Sequence, residues 1–107
     1  MKYQLVIQFD DGADDLIEQI DALEAVLADV LDGIAEVEGH EVGTGTANLI
    51  LDTDNPKKAW SKAEASVESA TEEGGLTLNA VAYRDYDDED DYTVLWPSDF
   101  DGEFDIS

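Results

Sequence analysis

The stretch that most constrains the fold is the segment from Tyr3 to Phe9, which reads Tyr-Gln-Leu-Val-Ile-Gln-Phe. Its odd-numbered residues are all large and apolar, whereas two of its three even-numbered residues are glutamine. Successive side chains of a β-strand point to opposite faces, so this alternation predicts a half-buried strand. We therefore predict that the segment is the central strand of a small sheet and that its odd-numbered residues face the core.

Two amphipathic helices are predicted to cover that apolar face. The first helix ends near Leu31, before Gly33 as a C-terminal cap, and its apolar residues recur at intervals of three and four. The second helix begins at Asn55-Pro56, with asparagine as the N-cap and proline in the first helical position, and ends at Gly74-Gly75. Its thin apolar stripe depends mainly on Trp60. The apolar stripe of the first helix comprises Leu16, Ile20, Leu23, Leu27 and Val30.

Four further strands are predicted, over residues 34–42, 46–52, 76–86 and 92–96. The alternation of the second strand slips at Gly39, which predicts a β-bulge there. Gly43-Thr44-Gly45 predicts a hairpin turn, because it lacks the spacing of a phosphate-binding loop. On the fourth strand, simple alternation places Val81 and Tyr83 on the face opposite the helices.

The order of these elements is strand, helix, strand, strand, helix, strand, with one more strand at the end. It predicts an α+β, ferredoxin-like split β-α-β fold with an extra C-terminal hairpin strand and both helices on one face of an antiparallel sheet. We expect residues 1–97 to form one domain, followed by an acidic tail over residues 98–107. The open face is only partly apolar, so it is predicted to be a homodimer interface or a binding surface. The alternative architecture is a pair of such sheets packed face to face in a dimer. The residues predicted on the open face are Gln4, Val6, Gln8, Asn48, Ile50, Val81 and Tyr83.

Three stretches carry a resemblance to known proteins: KYQLVIQFDD, GHEVGTGTANLILDTD and AYRDYDDEDDYTVLWP. They resemble a group of small uncharacterised bacterial proteins with the same β-α-β-β-α-β plan, some of them loosely labelled as related to ABC transporters. The resemblance covers most of the chain and implies the ferredoxin-like fold. It implies no activity, because the chain lacks the transporter ATPase motifs.

The charge of the chain restricts its partners. The sequence has 28 acidic and 5 basic residues, for a net charge of −23. Such a chain repels phosphate backbones and anionic membrane surfaces, and attracts basic proteins and cations. It has no cysteine, which excludes disulfides and thiolate ligands. No apolar run approaches the roughly 20 residues that span a bilayer, and no basic, apolar leader precedes the first strand, so a cytoplasmic location is expected.

These features favour a non-enzymatic interaction protein, an inhibitor or immunity-type binder of a basic partner. The predicted partner-binding loop is a run of five acids, Asp87, Asp88, Glu89, Asp90 and Asp91. A second hypothesis is a small-molecule or metal-binding domain that uses the open sheet face, with a weak anion-binding group of Lys57, Lys58 and Lys62 at the start of the second helix. A third hypothesis is a salt-adapted protein whose acidity serves solubility.

No catalytic residue, cofactor or dedicated metal site is predicted. His40, the single histidine, lies between Glu38 and Glu41. A metal centre or a catalytic base needs a constellation of residues, so we predict a surface or bulge residue. The stretches 85–91 and 99–105 alternate acids as calcium loops do, but neither has the glycine that such a loop requires, and the second also lacks the final glutamate.

Overall fold

The computed structural model describes residues 3–10, 16–42, 45–74, 76–85 and 93–96. Along the chain, the elements are β1 (Tyr3–Asp10), α1 (Leu16–Val30), β2 (Ala35–Val42), β3 (Thr46–Thr53), α2 (Pro56–Gly74), β4 (Leu78–Asp85) and β5 (Thr93–Trp96). The strands form one antiparallel sheet in the order β2-β3-β1-β4-β5. The predicted α+β, ferredoxin-like plan with an additional C-terminal strand is confirmed, and β1 lies at the centre of the sheet. The domain boundary and the tail predicted after residue 97 lie outside the described residues.

The core lies between the sheet and the two helices. Leu5, Ile7 and Phe9 of β1 are fully buried in it, as their alternation predicts. The predicted stripe of α1 is buried except at its end, where Val30 is 39% exposed and Leu31 is fully buried instead. Leu31 lies four residues after buried Leu27 and continues that row of side chains, whereas Val30 lies to one side of it. The other buried residues of the helices are Leu16, Ile20, Leu23, Ala59, Trp60, Ala63 and Val67.

The ends of the helices follow the predicted capping signals. Gly33 adopts a φ of 80°, a left-handed conformation that ends α1 at low cost for glycine. At the start of α2, the backbone amide of Lys58 donates a hydrogen bond to Oδ1 of Asn55 at 3.1 Å. Asn55 is therefore the N-cap, and Pro56 occupies the first helical position.

A β-bulge in β2 determines which way the second half of this strand faces. Val37 pairs with Leu51 and Gly39 pairs with Ile50, so Glu38 is an extra residue in the strand. Gly39 has a φ of 140°. The insertion reverses the alternation, so that His40 lies on the same side of the sheet as the core. The bulge that the sequence predicts at Gly39 is confirmed.

A second bulge, in β4, contradicts one prediction. Asn79 is an extra residue where β4 pairs with the end of β1. Simple alternation places Val81 and Tyr83 on the open face, but this is wrong, because both lie opposite core residues of β1 and pack into the core. The inserted residue reverses the phase of the strand, and Ala80 and Ala82 take the opposite face.

The face of the sheet opposite the helices is not an exposed apolar surface at its centre. Val6, Ala80 and Ala82 lie on this face and are each fully buried within the chain. Beside them, Nε2 of Gln8 donates a hydrogen bond to Oδ1 of Asn48 at 3.0 Å, and this pair is also buried. The described residues at the centre of this face are therefore buried within the chain.

Candidate functional site

A cluster of three ionisable side chains joins α1 to the edge strand β2. Nδ1 of His40 lies 2.7 Å from Oε1 of Glu24 and 3.8 Å from Oδ1 of Asp21. The His40 side chain is 24% exposed, that of Glu24 17% and that of Asp21 62%. The cluster is therefore shielded on the Glu24 side and open to solvent on the Asp21 side. Each residue offers one possible ligand atom, a ring nitrogen or a carboxylate oxygen, and these three atoms all lie within 4.8 Å of one another.

Local structure explains why these three side chains meet. Asp21 and Glu24 are three residues apart on α1, so their side chains project from the same side of the helix. They flank the buried row of this helix, on the side that packs against β2. Uninterrupted alternation from Val37 would place His40 on the other face, but the bulge at Glu38 shifts the phase, so that His40 pairs with core residue Leu49 and its side chain turns towards α1. Helix periodicity and the pairing of His40 with Leu49 together assemble the cluster.

The arrangement has two chemical capacities. Protonated His40 forms an ion pair with Glu24, a contact that stabilises the packing of α1 on β2 only modestly at a partly exposed position. Neutral His40 instead presents a ring nitrogen beside two carboxylates, and imidazole and carboxylate are the ligand types that zinc and related divalent ions accept.

A second group of carboxylates lies at the other face of the same strand. Protonated Glu38 donates a hydrogen bond to Asp52 of β3, and that bond, with the repulsion between the ionised carboxylates, raises the pKa of Glu38 above its ordinary value of 4.5. The charge of Glu36 raises the pKa of this exposed group in the same direction. Oδ1 of Asp52 is buried and accepts no hydrogen bond from the described residues. The two carboxylates repel each other at neutral pH, and this repulsion destabilises the fold.

The structure does not bring the three predicted anion-binding lysines into one cavity. Lys57 lines a shallow hollow of about 200 Å³ with Tyr3, Asp54, Tyr83 and the first residues of α2. Among the described residues, the lining of this hollow includes neither Lys58 nor Lys62. The carboxylate of Asp54 in the same hollow opposes the binding of an anion. The anion-binding group stays a prediction with little geometric support.

The predicted partner-binding loop, Asp87 to Asp91, lies outside the described residues, and so does the acidic stretch 99–105. The site that the structure does assemble contains two residues, Asp21 and Glu24, for which the sequence predicts no role beyond a place in the first helix. The signal that could have found them is their spacing of three, next to the apolar stripe, together with a single histidine placed after a predicted bulge.

Comparison with protein-family models, curated proteins and solved structures finds no match to this chain. The resemblance to small bacterial proteins therefore stays a prediction, and function has to be argued from the geometry. No helix in the described part of the chain is long and apolar enough to cross a membrane.

Proposed function

We propose that this protein is a non-enzymatic binding domain for divalent transition-metal ions, with Asp21, Glu24 and His40 as the ligands. The observation that supports the proposal is the convergence of one imidazole nitrogen and two carboxylate oxygens within 4.8 Å of one another. Three protein ligands leave a fourth position for water or for a group from a partner.

The distances suit an ion of this class. Metal–ligand distances of about 2.0–2.2 Å in a tetrahedral arrangement place the donor atoms roughly 3.4 Å apart. The separations of 2.7 Å and 3.8 Å from Nδ1 of His40 lie on either side of that value. Rotation of exposed Asp21 and a small outward shift of Glu24 bring all three donors into place. The imidazole favours zinc, nickel or cobalt over calcium and magnesium, which prefer oxygen ligands alone.

Binding of the metal competes with a proton. Histidine and carboxylate ligands bind a metal ion only in their deprotonated forms, so protons compete with the ion for the cluster. Metal affinity therefore rises with pH.

The proposal is tested by thermal melts and by cobalt absorption spectra. We expect Zn²⁺ and Co²⁺ to raise the melting temperature of the native chain, because an ion at about 100 times its Kd adds roughly 2.7 kcal/mol to the free energy of unfolding. His40→Gln and Glu24→Gln should each remove that increase. Glu72→Gln, an exposed neutralisation on α2 away from the cluster, should leave it unchanged.

The proposed site is confirmed or refuted by comparing the stabilisation that different ions give to the native chain and to the variants. If Zn²⁺ stabilises His40→Gln as much as the native chain, the ion binds to carboxylates elsewhere and the proposed site is refuted. An equal response to Ca²⁺ and to Zn²⁺ in the native chain would also contradict a role for the imidazole. Since His40 is the single histidine of the chain, its side-chain NMR signals give a direct second measurement.

A second candidate function is that of an acidic protein that binds a basic partner. It is favoured by the surface of α1, which carries Glu18, Asp21, Glu24 and Asp29 and no basic residue. Such a surface accelerates the encounter with a basic protein at low salt. Neutralising the loop from Asp87 to Asp91 with Asn and Gln should weaken partner binding and flatten its salt dependence. Unchanged affinity and an unchanged salt slope would remove the loop from the interface.

The predicted homodimer through the open sheet face belongs with this second candidate. Its support is weaker than the sequence indicates, because Val6, Ala80 and Ala82 at the centre of that face are already buried within one chain. Sedimentation over a range of protein concentrations measures the association directly. A monomer at all concentrations excludes the dimer.

A further inference from the structure

A cavity of about 290 Å³ lies between α2 and the strands β4 and β5, away from the Asp21, Glu24 and His40 cluster. Its walls combine two tryptophans, two leucines and two glutamates, together with two threonines. The residues with the clearest chemistry are Trp60, Glu64, Glu68, Leu76, Leu78 and Trp96.

Helix periodicity and strand pairing bring these residues together. Trp60, Glu64 and Glu68 are spaced by four residues, so they form one row along α2, about 12 Å long for a rise of about 1.5 Å per residue. Trp96 comes from β5, which pairs with β4 so that Trp96 lies opposite Val81. The lining therefore contains one aromatic ring at an end of the helix row and a second ring from the edge strand.

The burial of the lining gives the cavity an apolar interior and an acidic rim. Trp60 is 8% exposed and Leu76 2% exposed, whereas Trp96 is 37% exposed. Glu64 and Glu68 are exposed and keep their charge in contact with water. Among the described residues, no lysine or arginine lines the cavity. An anion is repelled by this rim, whereas a cation is attracted to it.

We propose that this cavity binds an alkylated ammonium group, with Trp60 and Trp96 as the aromatic contacts and Glu64 and Glu68 as the counter-charges. Tryptophan is the aromatic side chain that attracts cations best, and aromatic walls are the usual recognition element for quaternary ammonium groups. The methyl groups of such a cation contact the leucines, and its positive charge faces the glutamates. One group thus satisfies all three features of the lining.

Size and long-range charge point to the same class of ligand. Cavities for drug-sized ligands measure roughly 300–1,000 Å³, so this one, at about 290 Å³, accommodates a head group or one side chain rather than a nucleotide. The net charge of −23 raises the local concentration of any cation around the molecule. The ammonium group belongs either to a free small molecule or to a methylated lysine side chain.

Intrinsic fluorescence tests the proposal directly, because both tryptophans of the chain line the cavity. Choline is titrated at constant chloride concentration, and 3,3-dimethylbutan-1-ol, its uncharged isostere, is titrated in parallel. We expect a saturable change in emission with choline. The isostere should bind about two- to thirty-fold more weakly, the range that a cation–aromatic contact supports.

Two variants separate the carboxylates from the aromatic ring. Glu64→Gln with Glu68→Gln should weaken choline binding about two- to thirty-fold, since the exposed counter-charges are lost. Trp96→Leu keeps an apolar wall but removes the exposed ring, and should weaken choline more than the isostere. The matched control is Glu18→Gln with Glu72→Gln, which removes the same charge from exposed helix positions outside the lining and should leave the affinity unchanged.

Two results overturn the proposal. One is equal binding of choline and its isostere, which shows that the cavity does not recognise charge. The other is an equal loss of affinity in the control pair and in the Glu64 and Glu68 pair, which shows a general effect of net charge. A short peptide with one trimethylated lysine then identifies the source: tighter binding than choline indicates a protein partner, and binding no tighter than choline indicates a free small molecule.

Discussion

The bulge in β2 can be tested with the substitution Gly39→Ala. This substitution should lower the free energy of unfolding of the native chain and raise that of a variant from which Glu38 is deleted. Gly39 has a φ of 140°, which L-amino acids rarely adopt. A Cβ atom added to Gly39 meets nothing within 4 Å, so the cost of Gly39→Ala comes only from the backbone. Conformations reserved for glycine cost other residues roughly 1–3 kcal/mol, and this is the expected loss in the free energy of unfolding.

Deletion of Glu38 removes the reason for that conformation. The pairings of Val37 with Leu51 and of Gly39 with Ile50 then become consecutive, and position 39 becomes a regular strand position. Glycine inside a strand costs about 0.5–1 kcal/mol relative to alanine. Gly39→Ala should therefore stabilise the deletion variant by about this amount, the opposite sign to its effect in the native chain.

The assay is urea unfolding followed by circular dichroism in concentrated salt, on the native chain, each single variant and the double variant. For a domain of this size, each 1 kcal/mol also shifts the melting temperature by about 4–8 °C, which gives an independent measurement. If Gly39→Ala is destabilising by the same amount in both backgrounds, the bulge is not the source of the cost. His40 keeps its inward position in the deletion variant, so cobalt binding should survive the deletion.

Three further results are expected. Asn55→Ala removes the acceptor for the Lys58 amide and should lower the free energy of unfolding by about 0.5–2 kcal/mol in urea melts; no change would exclude a capping role. The raised pKa of Glu38 means that the folded chain binds this proton more tightly than the unfolded chain. Its stabilising contribution is complete below the ordinary pKa of 4.5 and is lost as the pH rises through the folded value. Glu38→Gln should therefore melt at a higher temperature than the native chain at pH 7, and the difference should shrink towards pH 4.5; a constant difference would contradict the linkage. If the acidity is a salt adaptation, lowering the salt concentration should unfold the native chain, because the screening length grows from about 3 Å at 1 M to about 10 Å at 0.1 M salt; a fold retained in low salt would refute the salt-adaptation hypothesis.

Local signals in the sequence predict the elements and the plan of the fold. The alternation of β1, the apolar stripe of α1, the Asn55-Pro56 start of α2 and the slip at Gly39 each depend on neighbouring residues alone, and each is found in the structure. The faces of β4 are not predicted correctly. An alternation with alanine at 80 and 82 fits either phase, and only pairing with β1 shows the inserted residue at Asn79.

The candidate sites depend on contacts that no local pattern contains. Glu24 and His40 are 16 residues apart, and they meet only because α1 packs over the edge strand. Trp60 and Trp96 line one cavity because β5 pairs with β4 at the sheet edge next to α2. The chain has many acidic residues, and the sequence does not distinguish the glutamates of the sites from the others. Only the fold shows which carboxylates lie beside a histidine or a tryptophan.

The inserted residue in β2 lies between two features on opposite sides of the sheet, and only one of them depends on it. Because Glu38 is the extra residue, its carboxylate faces Asp52 on one side and the next inward position falls to His40 on the other. The repulsion on one face thus comes from the inserted residue itself, whereas the imidazole–carboxylate cluster on the other depends on the pairing of His40 with Leu49. A strand of regular alternation needs no glycine at position 39. The bulge that Glu38 introduces requires a left-handed backbone there, and this conformation favours glycine. The deletion of Glu38 therefore separates the two features, since it removes the repulsion and retains the cluster.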